Sequence, residues 1–76
     1  MNNARRKRIE EINERIESLK ADIEGIRDEE QDALDNLLES VRDGERGQKM
    51  TDAVDNMESA VDSLDEALSA LEEAAS

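Results

Sequence analysis

Seventy-six residues carry a formal net charge of −12 and include no Phe, Tyr, Trp, Cys, His or Pro. That length holds one small domain, and its core is restricted to Ile, Leu, Val, Met and Ala. Disulfide staples and the usual zinc sites are excluded, and so are the commonest catalytic bases and nucleophiles.

A chain this short buries little of its surface and is marginal alone, which leaves oligomerisation as the natural route to stability. Glycine occurs only at 25, 44 and 47, so long uninterrupted helices are favoured. No apolar run is long enough to span a bilayer, and Arg5-Arg6-Lys7-Arg8 has no apolar segment behind it to make a signal peptide. The expected location is the cytoplasm.

The first segment carries Ile9, Ile12, Ile16, Leu19, Ile23 and Ile26, spaced 3, 4, 3, 4, 3. This is a heptad stripe of coiled-coil type. The stripe then shifts by a four-residue stutter: Ile23 to Leu34, Ile26 to Leu37 and Glu30 to Val41 are eleven apart. A helix over about 4–42 is predicted. Asp28 and Gln31 have capping-box spacing, so Gly25 could end one helix and Asp28 open another, but the stripe runs through the site. Glu30 falls on the seam, either snorkelling outward at the stutter or forming a polar layer that fixes register.

Residues 43–47 read as the turn, with Gly44 suited to the left-handed conformation that ends a helix and Gly47 placed to open the next. The second helix, about 48–75, carries Met50, Val54, Met57, Val61, Leu64, Leu68, Leu71 and Ala75, alternating by 4 and 3. Ala53, Ala60, Ala67 and Ala74 form a small-residue row beside that stripe, wide enough to touch two neighbours. So short a turn folds the helices antiparallel.

A turn centred near 45–46 sets Val41 opposite Met50, Leu34 opposite Met57, Ile26 opposite Leu64, Ile23 opposite Leu68, Leu19 opposite Leu71 and Ile16 opposite Ala75. Lys20 then meets Glu72 and Arg27 meets Asp65. The same register leaves residues 4–15 overhanging, with Ile9 and Ile12 bare. The expectation is therefore an all-α antiparallel helical hairpin that assembles into a homo-oligomeric bundle, a dimer being the simplest closed form. Ile9, Ile12, Ile16, Ala53, Ala60, Ala67 and Ala74 are its expected interface. The Arg5–Arg8 cluster is expected to be drawn to the acidic second helix of a neighbour.

Seven of the ten basic residues lie between Arg5 and Arg27, and from Met50 onward there are eight acids and no base. This balance argues against direct DNA binding, which needs Lys and Arg on phosphates. It suits a basic partner or mimicry of a nucleic acid, with Asp62, Asp65 and Glu66 as a candidate acidic face. An acidic protein of a salt-rich cytoplasm would show the same charge. Arg42, Arg46 and Lys49 cluster near the start of the second helix and are candidates for a small anion or a nucleotide signal; otherwise they solubilise the turn, Arg42 offsetting the helix dipole.

Asp28-Glu29-Glu30-Asp32 has neither the histidines of di-iron bundles nor an EF-hand pattern, so it reads as a solvated charged face. Ser18, Ser40, Ser59, Ser63 and Ser69 have no activating base near in sequence. No enzyme, cofactor or metal is expected.

Asp28-Glu29-Glu30-Gln31, Asp35-Asn36-Leu37, Glu39-Ser40, Glu45-Arg46-Gly47 and Met50 together resemble short acidic helical-hairpin proteins of bacteriophages and prophages, over roughly residues 28–68. The chain departs from their pattern with Leu38 where Pro is common and Gly44 where Ser is common. The resemblance implies a small accessory phage product, an antagonist of a host process among its expected roles, and it brings no catalytic residue.

Overall fold

The computed structural model describes all 76 residues: α1 spans Asn3–Asp35, α2 is a single turn at Glu39–Arg42, and α3 spans Glu45–Ala75. The chain is all-α, an antiparallel hairpin with a one-turn helix at its corner. Asn2 caps α1, its side-chain oxygen accepting from the Arg5 N–H at 2.8 Å. The α1 helix passes through Gly25 unbroken. The Cα trace measures 58 × 15 × 11 Å with a radius of gyration of 17.3 Å, against about 11 Å for a compact chain of this length. The molecule is one layer of helices, where most domains pack two.

The reversal comes earlier than the periodicity predicts. The apolar stripe predicts a first helix reaching 42, but α1 stops at Asp35; the corner occupies 36–44 instead of 43–47. Gly44 is not left-handed: at φ −89°, ψ −169° it is extended, and it opens α3 instead of closing α1. Arg42 holds the corner, its guanidinium donating to the Asp35 and Leu37 carbonyls at 3.0 and 3.1 Å. Those carbonyls belong to the frayed end of α1, where the helix dipole also favours a cation. Gly47 is buried where α2 crosses the first turn of α3, and a Cβ there would overlap the Arg42 carbonyl.

Moving the corner slides the two helices by about one heptad. Lys20 meets Asp65, not Glu72, and Arg6 Nε donates to the Ala75 carbonyl at 2.9 Å. Arg27 turns to its neighbour Asp28 at 3.0 Å instead of to Asp65. By the same register Ile23 lies level with Val61 rather than Leu68. The expected overhang at residues 4–15 therefore does not exist, because α3 runs beside it. The physical reason is pairing length: α1 and α3 have 33 and 31 residues, and the observed register lies them together end to end. The predicted register would strand a dozen residues in water.

The core is thin. Its buried apolar side chains are Leu34, Val54, Val61 and Leu68, and no side chain is less than 2% exposed. On α3 the covered stripe is the predicted one. On α1 the helix is rotated: the covered positions run Arg6, Ile9, Asn13, Ile16, Lys20, Ile23, Arg27, Glu30, Leu34, again by threes and fours, continuing to Leu37 just past its end, with Glu24 and Gln31 half-covered beside them. Of the stripe before the stutter only the Ile9/Ile16/Ile23 row faces α3; beyond it Glu30, Leu34 and Leu37 are covered as expected. The polar row Asn13/Lys20/Arg27 takes the place of Ile12/Leu19/Ile26.

Candidate interaction face

The rotation of α1 gives the hairpin two unlike sides. Lys20 Nζ and Asp65 Oδ1, 2.7 Å apart, mark one of them. One residue back along a helix is a turn of about 100°. In an antiparallel pair that step carries both helices to the same opposite side. Leu19 and Leu64 precede Lys20 and Asp65, so they emerge together on the second side. With them come their heptad neighbours, Ile12 and Ile26 on α1, Met57 and Leu71 on α3.

On that side Ile12 is 41% exposed and Leu19 and Ile26 are each 56% exposed, while Met57, Leu64 and Leu71 are half-covered. Ala53 and Ala67 are half-buried beside them and Ala60 is exposed, as is Ala74 toward the end of the row. The result is an apolar strip spanning both helices. Contiguous apolar surface of sufficient size is what contact surfaces between proteins are built from.

The expected interface residues are thus divided. Ile9 and Ile16 are spent within the chain, half-buried against α3; Ile12 and the alanine row remain on the outer strip. Leu19 and Ile26, which sequence reasoning assigns to the internal seam, join them. Their heptad period marks them as a row, but a helix with two adjacent apolar rows does not reveal which one its neighbour will cover.

Each end of the strip holds a concavity. One, of about 230 Å³, lies among Met1, Arg5, Arg8, Ile9 and Ile12. The other, of about 460 Å³, lies at the corner end among Glu30, Glu45, Arg46, Lys49 and Met50. The second contains part of the expected anion-binding trio, but in altered company. Arg46 and Lys49 share it with two carboxylates, Lys49 lying 3.5 Å from Glu45, while Arg42 is not on its lining and donates from Nη2 to the Asp35 and Leu37 carbonyls. Glu30 is neither a fully buried polar layer nor free in solvent; it is half-covered on the wall of this concavity.

The other side is polar. Asp62, Asp65 and Glu66 are exposed there, and Asp65 is engaged by Lys20. That hydrogen bond, reinforced by the Asp65, Glu17 and Glu24 charges, holds the Lys20 ammonium above its ordinary value against a weaker desolvation effect. Arg27 is raised likewise, first by its hydrogen bond to Asp28. Asn13, unmarked by the periodicity, projects into the seam, and its Oδ1 is shut off from solvent without accepting a hydrogen bond. No three or more carboxylates converge as a metal site would require, and no helix is long and apolar enough to cross a membrane.

Set against family models, curated proteins and solved structures, the chain matches none of them.

Proposed function

We propose that this chain is a non-enzymatic accessory protein of the phage type that acts in the cytoplasm by protein–protein interaction, with copies of itself as its first partner and antagonism of a host process as its role. The exposed Ile12/Leu19/Ile26 row carries this reading. Those side chains are presented at 41–56% exposure by a hairpin whose own core holds only four buried apolar residues. Covering the exposed half of each is worth about 0.7–1.5 kcal/mol, a sizeable sum over the row beside the stability of so thin a domain. The test is affinity capture from a host lysate with the tagged chain, run beside Leu19→Glu. Capture of a defined host protein by the wild type and its loss in the variant support the reading. Capture unaffected by the variant would place the working surface elsewhere.

One observation favours a second reading, that of a nucleic-acid mimic. All eight acids of α3 beyond Met50 are exposed, and only Asp65 has a basic partner. A mimic would displace nucleic acid from a host nucleic-acid-binding enzyme in a salt-sensitive way. Asp62→Ala, Asp65→Ala and Glu66→Ala would weaken that displacement, whereas Leu19→Glu would leave it intact.

A further inference from the structure

The apolar strip has an internal symmetry that specifies how it would be covered. Ile12, Leu19 and Ile26 are centred on Leu19. On α3, Ala53, Ala60, Ala67 and Ala74 are centred between Ser63 and Leu64, while the larger row of Met57, Leu64 and Leu71 continues to Met50 at the corner. The Lys20–Asp65 bond puts Leu19 level with residues 64–66, so the Ile12/Leu19/Ile26 row and the alanine row share one midpoint to within about two residues, roughly 3 Å. A surface whose rows read the same from either end is self-complementary about a two-fold axis at right angles to its length.

We propose that two copies of the hairpin close face to face about such an axis, α1 on α1 and α3 on α3, each pair antiparallel, with Leu19 and Leu64 nearest the axis. This rests on the reading that the strip is a contact surface and adds its occupant and orientation. In the dimer Ile12 of one copy faces Ile26 of the other, and Met57 faces Leu71. Ala60 faces Ala67 and Ala53 faces Ala74, small against small, which lets the two α3 helices approach closely.

Charge selects this orientation over the parallel one. Between residues 28 and 58 there are eleven acids and three bases, a net −8 of the whole −12. A parallel pair would stack these two corner halves on each other. The antiparallel pair instead sets Arg5-Arg6-Lys7-Arg8 of one α1 across from Asp28-Glu29-Glu30-Asp32 of the other. With Leu19 on the axis, opposed residue numbers sum to 38, so Arg8 falls opposite Glu30. The open-end concavity containing Arg5 and Arg8 then lies toward Glu30, the one α1 residue on the wall of the corner concavity, whose α3 side carries Glu45, Arg46 and Lys49.

The single chain exposes 5596 Å², where a folded monomer of its mass exposes about 4,700 Å². The excess, about 900 Å², is what a rod of 58 × 15 × 11 Å shows over a compact domain; a standard interface asks roughly 800 Å² of each partner.

The test combines sedimentation equilibrium with charge reversal in the full chain. The wild type is expected to be a dimer, and Leu19→Glu a folded monomer of unchanged helical content, since Leu19 is not needed in the intrachain core. Arg8→Glu and Glu30→Arg should each loosen the dimer by about tenfold, and the two together should restore it. Because the chain has no cysteine, Arg8→Cys mixed with Glu30→Cys should give a disulfide-linked heterodimer, while Arg8→Cys alone gives none. A dimer that persists without charge rescue or Arg8–Glu30 cross-linking overturns the antiparallel arrangement and leaves self-association standing. A wild type that stays monomeric at hundreds of micromolar overturns self-association as well; host capture by such a monomer, lost in Leu19→Glu, would leave only the partner-binding part of the reading.

Discussion

Lys20 Nζ stands 2.7 Å from Asp65 Oδ1 across the hairpin, and this is the structure's only ion pair between α1 and α3. It marks which heptad of α3 lies beside which heptad of α1, and through the twist of each helix it also marks the side opposite the apolar one.

The pair gives a pH signature. The folded pKa of Lys20 lies above its ordinary value of 10.5, chiefly through the Asp65 hydrogen bond. A raised base contributes stability that is complete below its unfolded pKa and is lost as pH rises through the folded one. Urea midpoints should therefore hold through neutral pH and fall above about 10.5. Lys20→Gln should start lower and show less of this alkaline fall. Identical profiles for the two proteins would mean the pair contributes nothing in solution.

Two glycines should respond in opposite directions to alanine. Gly25 is in mid-helix, and a methyl group added there would meet nothing within 4 Å, so Gly25→Ala should stabilise by about 1 kcal/mol. Gly47→Ala forces a methyl into the Arg42 backbone, with even its Cα only 2.7 Å away. It should cost about 1–3 kcal/mol or reopen the corner. Thermal denaturation followed by circular dichroism measures both.

Asn13 is a polar group in an apolar seam with its oxygen unsatisfied. Replacing it by Leu removes that desolvation cost and continues the Ile9/Ile16 packing. Asn13→Leu should raise stability by about 1–3 kcal/mol, seen as a higher urea midpoint at unchanged slope. A drop would show that the amide finds a partner in solution.

Arg42 Nη2 donates to two carbonyls at the corner. Arg42→Ala should cost about 0.5–1.5 kcal/mol through the two carbonyls it leaves bare. Added phosphate or nucleotide should not alter the difference between variant and wild type; protection specific to the wild type would return Arg42 to an anion site.

The helical hairpin is legible in the sequence because its signals are repetitive. The α3 stripe from Met50 to Ala75 needs no tertiary information, and the covered residues follow it. The register is not legible. It turns on where α1 ends, and Asp35-Asn36-Leu37-Leu38 carries neither Gly nor Pro to mark a stop. Leu38, 75% exposed at φ −60°, ψ 144°, is extended only because α2 must swing across the corner. The rotation of α1 is equally hidden: Asn13, Lys20 and Arg27 repeat every seven residues as faithfully as the isoleucines. Long basic side chains can line a seam with their methylene stems while the charged ends reach water.

The bond from Arg6 to the Ala75 carbonyl brings residues 1 and 76 to the same pole of a 58 Å rod, leaving the corner at the other. Such a molecule is a natural subject for circular permutation. A short linker joining the two ends, with the chain reopened between Asp43 and Gly44, would preserve every α1–α3 neighbour and turn a hairpin closed at one pole into one closed at the other.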